Sequence, residues 1–98
     1  MGLGFNGGQM IALAIGGCLC NDLRYVAHDM GIDITSLEVD TTVELEGDPL
    51  LVVLARVDVR LATSDPAADI AELMRRAEAG STIGNSVARG FPVIVSRA

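Results

Sequence analysis

From Met10 to Cys20 every residue is apolar or glycine, so this stretch has no polar face. Past Cys20 the pattern becomes amphipathic. Leu23, Val26 and Met30 form one stripe, while Asn21, Asp22, Arg24, His28 and Asp29 face away from it. This predicts a long helix over about Gly8 to Met30, with Asn6 placed to cap its start and Gly31 to stop it. A helix that is apolar all round is one that is buried all round. Gly16-Gly17 lies inside it and costs about 1 kcal/mol per glycine relative to alanine. A neighbouring element must therefore need that missing bulk.

Two runs of period two follow. Leu37, Val39, Val43 and Leu45 alternate with Glu38, Asp40, Thr42, Glu44 and Glu46, the pattern of a half-buried strand with an acidic outer face. Gly47-Asp48-Pro49 is turn chemistry. In the second run, Leu50 to Ala62, Leu51, Val53, Ala55, Val57, Val59 and Leu61 share one face, and Arg56, Asp58 and Arg60 the other. Folded back as a hairpin, the two runs set Arg56 and Arg60 among the carboxylates of the first, a surface ladder rather than a catalytic group. Ser64-Asp65-Pro66 opens a second helix with the stripe Ile70, Leu73, Met74 and Ala77, closed by Gly80. Ser81 to Arg89 is a short helix or loop, and Pro92 to Ser96 reads as a last edge strand. The order predicts one α+β domain over residues 1–98, with a three-stranded antiparallel sheet packed on a long buried central helix.

Composition narrows the partners. At 98 residues the chain is near the lower end of what builds an adequate core alone. Its mean hydropathy of +0.44 predicts apolar surface shared with a second subunit. A net charge of −6 and only three aromatic residues, Phe5, Tyr25 and Phe91, argue against nucleic acid. The apolar run falls short of the roughly 20 residues that cross a bilayer, and Gly2 to Gln9 carry no basic leader. These features predict a cytoplasmic protein that engages no membrane. Two cysteines in a Cys-x-Cys arrangement make no disulfide framework, which suits a reducing compartment.

The chemistry-bearing residues are few. His28 is the sole histidine, and Cys18 and Cys20 point to nearly opposite sides of a helix, so no metal site is expected. The glycine pairs lack the lysine of a phosphate loop, and no cofactor is expected. Cys18 remains, either a small core residue or a sheltered nucleophile.

The stretch Asn6-Gly7-Gly8-Gln9-Met10-Ile11-Ala12-Leu13-Ala14-Ile15-Gly16-Gly17-Cys18 resembles the helix that carries the reactive thiol in the OsmC/Ohr family of osmotically inducible and organic-hydroperoxide-resistance proteins. The family pattern begins Asn-Pro-Glu and ends in two small residues and the cysteine. Leu23-Arg24-Tyr25-Val26-Ala27 and Gly31-Ile32 are also similar, and Ser81-x-x-x-Asn85-Ser86 stands where the family writes Cys-Pro-x-Ser-Asn. The resemblance implies an OsmC-like intertwined homodimer. It makes Cys18 the candidate peroxidatic thiol, which attacks a hydroperoxide and is restored by an external dithiol reductant. The chain departs from the pattern at three points. Ser81 takes the place of the resolving cysteine and is not competent for that role. Gly8 takes the place of the glutamate, and the strands that bring the family's arginine are absent from the amino terminus. Cys20 is either an alternative resolving thiol toward a second subunit or a further core thiol. Two functions therefore stand side by side. One is thiol-dependent reduction of organic hydroperoxides at Cys18. The other is a non-catalytic dimer that binds a small apolar molecule or serves a structural role.

Overall fold

A computed structural model describes residues 6–97; the glycine-rich start before Asn6 lies outside the described residues. The order of elements is α1 (Gly7–Asp29), β1 (Ile34–Glu46), β2 (Leu51–Thr63), α2 (Ile70–Gly80) and α3 (Thr82–Arg89). The architecture is α+β, as the patterning predicts.

Local chemistry sets the ends of α1. Asn6 Oδ1 accepts from the Gln9 N–H at 2.8 Å, and Gln9 Oε1 accepts from the Asn6 N–H at 3.0 Å, a reciprocal capping box. At the other end Gly31 takes φ of 69°, in the left-handed region. This lets the Ile32 N–H reach the Ala27 carbonyl at 2.8 Å and the Gly31 N–H reach that of His28 at 3.1 Å. Both capping expectations hold. By length and composition α1 is sufficient to cross a bilayer, because the helix starts at Gly7, just before the apolar run, and continues past it to Asp29. The expectation that no segment reaches spanning length is corrected on that point.

β1 and β2 form an antiparallel hairpin whose register sets Leu37 against Leu61, Val39 against Val59, Thr41 against Val57 and Val43 against Ala55. These pairs make the half-buried face. On the opposite face Arg60 reaches Glu38 at 2.8 Å and Asp40 at 2.6 Å, and Arg56 lies 3.8 Å from Glu44. The charge ladder is therefore real. Toward the turn the register shifts: Glu44 pairs with Leu54 but Leu45 with Val52, leaving Val53 as an extra residue. The period-two reading fails there, since Val52 rather than Leu51 or Val53 lies across from Leu45.

Two further expectations are corrected. The second helix begins at Ile70, not at Ser64-Asp65-Pro66. Asp65 Oδ1 is engaged by the Ala67 N–H at 2.8 Å in a local turn, and Asp69 caps the helix through the Glu72 N–H at 3.1 Å. The edge strand expected over Pro92 to Ser96 does not form, so the sheet has two strands among the described residues. A strand needs a neighbour's carbonyls and N–H groups. This segment leaves α3 at Gly90 and finds none, with Ile94 88% exposed.

The core sits where α1, the hairpin and α2 meet. Leu23, Ala27, Leu73 and Ala77 are buried together, with Leu19, Leu37, Val39, Val59 and Leu61 packed around them. Gly16 is where the hairpin presses closest. A Cβ there would overlap Thr41 Oγ1 and stand 3.6 Å from Val39 Cγ1, so β1 is the element that needs the missing bulk. Gly17 makes no such demand, having nothing within 4 Å of a Cβ placed there. The outer face of α1 is not covered among the described residues: Met10, Leu13 and Tyr25 are exposed, so the helix is buried on one side rather than all round. The radius of gyration is 16.1 Å, against about 13 Å for a compact domain of this length.

Candidate functional site

Cys18 lies on α1, half-buried and free, and Cys20 is likewise a free thiol. Cys18 Sγ donates to Asp22 Oδ2 at 3.7 Å, one helical turn further on. The partner of this thiol is therefore a proton acceptor. No arginine is hydrogen-bonded to it among the described residues; Arg56 is paired with Glu44, Arg60 with Glu38 and Asp40, and Arg75 and Arg76 with Glu72. Sequence patterning does not single out Asp22, although its i+4 spacing from Cys18 is a legible signal.

Cys20 faces elsewhere. With Ala12, Leu13, Gly16, Gly17 and Thr41 it lines a shallow recess of about 450 Å³ between α1 and β1. The two-residue spacing places the two thiols on different sides of the helix, as expected.

The larger feature is an apolar cleft of about 770 Å³ between α1, β2, α2 and α3. Ile11, Ile15 and Leu19 form its α1 wall, Val57 and Val59 its floor, and Met74 its α2 side. Its polar groups come from the α2–α3 junction: Glu78, Ser81 and Asn85. The backbone holds these three together, since the Ser81 N–H donates to the Glu78 carbonyl at 3.2 Å and the Asn85 N–H to that of Ser81 at 3.0 Å. Asn85 Nδ2 donates back to the Ala79 carbonyl at 3.0 Å, which leaves its Oδ1 as an acceptor. Ser81 is only 5% exposed and occupies the N-cap position of α3, yet its hydroxyl makes no capping bond. Thus Ser81 belongs to the cleft wall. Cys18 does not line the cleft, although Ile15 and Leu19 flank it on the helix.

Gly8 stands in the first turn of α1 above the far end of the hairpin. A Cβ there would lie 3.6 Å from Leu45 Cδ1 and 3.7 Å from Val43 Cγ2, ordinary packing distances, so the backbone does not demand glycine at this position.

The sequence matches a protein-family model, that of the OsmC-like proteins, over residues 1–96. The chain belongs to the OsmC-like family. Its fold is similar to that of an OsmC-like protein of unknown function from Vibrio cholerae O1 biovar El Tor, with a TM-score of 0.73 at 12% identity, covering 81% of this chain and 56% of that one. It is also similar to an OsmC-like hydroperoxide resistance protein from Jannaschia sp. CCS1, with a TM-score of 0.74 at 17% identity, covering 92% of this chain and 64% of that one. The OsmC-like chain therefore spans less than two thirds of either structure. No curated protein matches it.

Proposed function

We propose that this OsmC-like chain reduces organic hydroperoxides at Cys18, with an external thiol completing the cycle. The observation that carries the reading is the half-buried thiol of Cys18 with a proton acceptor, Asp22 Oδ2, at 3.7 Å, on the helix whose pattern defines the resemblance. In the first step the sulfur attacks the terminal oxygen of R–O–O–H and the O–O bond breaks. The products are Cys18 sulfenic acid and R–OH, with the thiol proton passing to the leaving alkoxide through Asp22. Ser81 offers no sulfur, so an external thiol condenses with the sulfenic acid, releasing water and leaving a mixed disulfide. A second equivalent of thiol restores Cys18. Two free thiols also suit a reducing compartment, and we place the chain in the cytoplasm.

A test is the intact mass of reduced protein after exposure to cumene hydroperoxide. Rapid gain of one oxygen atom, lost in Cys18→Ser and kept in Cys20→Ser, supports the reading. Slow oxidation shared equally by both cysteines rejects it and leaves the second reading, a non-catalytic OsmC-like protein that binds a small apolar molecule. What favours that second reading is the cleft, which Cys18 does not line.

We propose further that the working unit is a homodimer. Met10, Leu13 and Tyr25 expose apolar surface along one side of α1, and Gly17 leaves room for close approach of another backbone. Gly17→Leu should shift the protein from dimer to monomer in size-exclusion chromatography with light scattering; a stable monomer of the unaltered chain would sink the proposal.

A further inference from the structure

The cleft carries an inference that does not depend on thiol chemistry. Its volume of about 770 Å³ falls within the roughly 300–1,000 Å³ typical of small-molecule sites. Nearly all its lining is aliphatic, and the exceptions gather at the α2–α3 junction. There the charge is of one sign. Glu78 offers a carboxylate that forms no ion pair among the described residues. Asn85 has one N–H engaged by the Ala79 carbonyl, leaving its oxygen and a second N–H. Ser81, 5% exposed, lines the same end with a hydroxyl that can donate or accept. Among the described residues no arginine or histidine lines the cleft.

Ser81 and Asn85 meet a donor or an acceptor alike, so the selection falls to the Glu78 carboxylate, which favours a cationic donor. We infer that the cleft between α1, β2, α2 and α3 binds a single-chain amphiphile with a protonated amine head, seated on Glu78, Ser81 and Asn85 with its alkyl chain along Ile15, Leu19 and Val59. A carboxylate-headed chain of the same length is rejected, because it would bring a second anion against Glu78 without a cation to meet it.

The test uses decylamine, decanol and decanoate, each below its micelle concentration, titrated calorimetrically into the full chain at neutral pH. The expected order of affinity is amine, then alcohol, then carboxylate, with the amine at least ~10-fold ahead of the alcohol through its charge-assisted bond. Since a protein of net charge −6 attracts any cation, the decisive variant is Glu78→Gln, which changes that total by only one. It should bring the amine down to the alcohol, while Ser81→Ala weakens both. Glu78 is exposed, so the variant should keep the far-UV circular dichroism of the parent. Equal affinity for the three head groups, an amine preference that survives Glu78→Gln, or no binding at all would each overturn the inference. Repeating the titration with Cys18→Ser separates it from the proposed peroxidase activity, since that variant should bind like the parent.

Discussion

Gly16→Ala is the substitution that best interrogates how α1 and β1 meet. The added carbon would overlap Thr41 Oγ1, while Thr41 Cβ at 3.5 Å and Val39 Cγ1 at 3.6 Å would remain at ordinary contact distance. Thr41 is β-branched and stiff about χ1, so its hydroxyl moves aside only at a cost. Overpacking of this kind costs about 1–3 kcal/mol, and replacing a helical glycine by alanine returns about 1 kcal/mol. The net loss expected is about 0–2 kcal/mol. Thr41→Ala removes the one overlapping atom and leaves the rest at contact distance. In that background Gly16→Ala should stabilise by about 1 kcal/mol, because only the helix contribution remains. The coupling energy from the four proteins is then about 1–3 kcal/mol, and the helix contribution cancels from it. The assay is urea unfolding followed by circular dichroism at one fixed protomer concentration. Coupling indistinguishable from zero, with Gly16→Ala stabilising the parent, would refute the claim that β1 sets the glycine.

Other outcomes follow from the same structure. Glu72 is pulled from the ordinary value of 4.5 to about 2 by hydrogen bonds from Arg75 and then Arg76. A carboxylate whose folded-state value is lowered contributes stability that is fully present above 4.5 and is lost as pH falls toward 2, so an acid titration of thermal stability should fall across that window and flatten in Glu72→Gln. Leu73 is fully buried, and Leu73→Ala should cost about 2–5 kcal/mol in urea unfolding, a large part of a small domain's total. Ser81→Cys places a thiol at the position that the resemblance assigns to a resolving cysteine. If Cys18 forms a sulfenic acid that Ser81 cannot resolve, peptide mapping of this variant after hydroperoxide treatment should show a disulfide joining Cys18 to the introduced thiol; persistence of the free sulfenic acid would disfavour proximity of the two positions.

The local elements were legible because their causes are local. Asn6 and Gly31 mark α1 by capping chemistry, and the alternation through Leu37 to Leu61 gives the hairpin and its charge ladder. What patterning missed depends on pairing at a distance or on competition between nearby residues. Pro92 to Ser96 has the composition of a strand but meets no edge. Val53 is displaced by a register shift that alternation alone cannot encode, and Asp65 is taken by a turn that leaves the cap to Asp69. The candidate site divides in the same way. Cys18 stands out through its motif, whereas the cleft arises where α1, β2 and the α2–α3 junction converge, and Ser81 gains its place there only through folding.

The shifted register near Val53 bears on how the chain behaves in concentrated solution. The half of the hairpin carrying Arg56, Asp58 and Arg60 guards its open edge, because an incoming strand would bury charge. Beyond the shift, Leu50 to Leu54 form five consecutive exposed apolar residues, with no such guard on the outer side of β2. That corner is where stray strand-to-strand adhesion would begin. A single lysine at Leu51, which does not line the cleft, would extend the guarded half toward the turn.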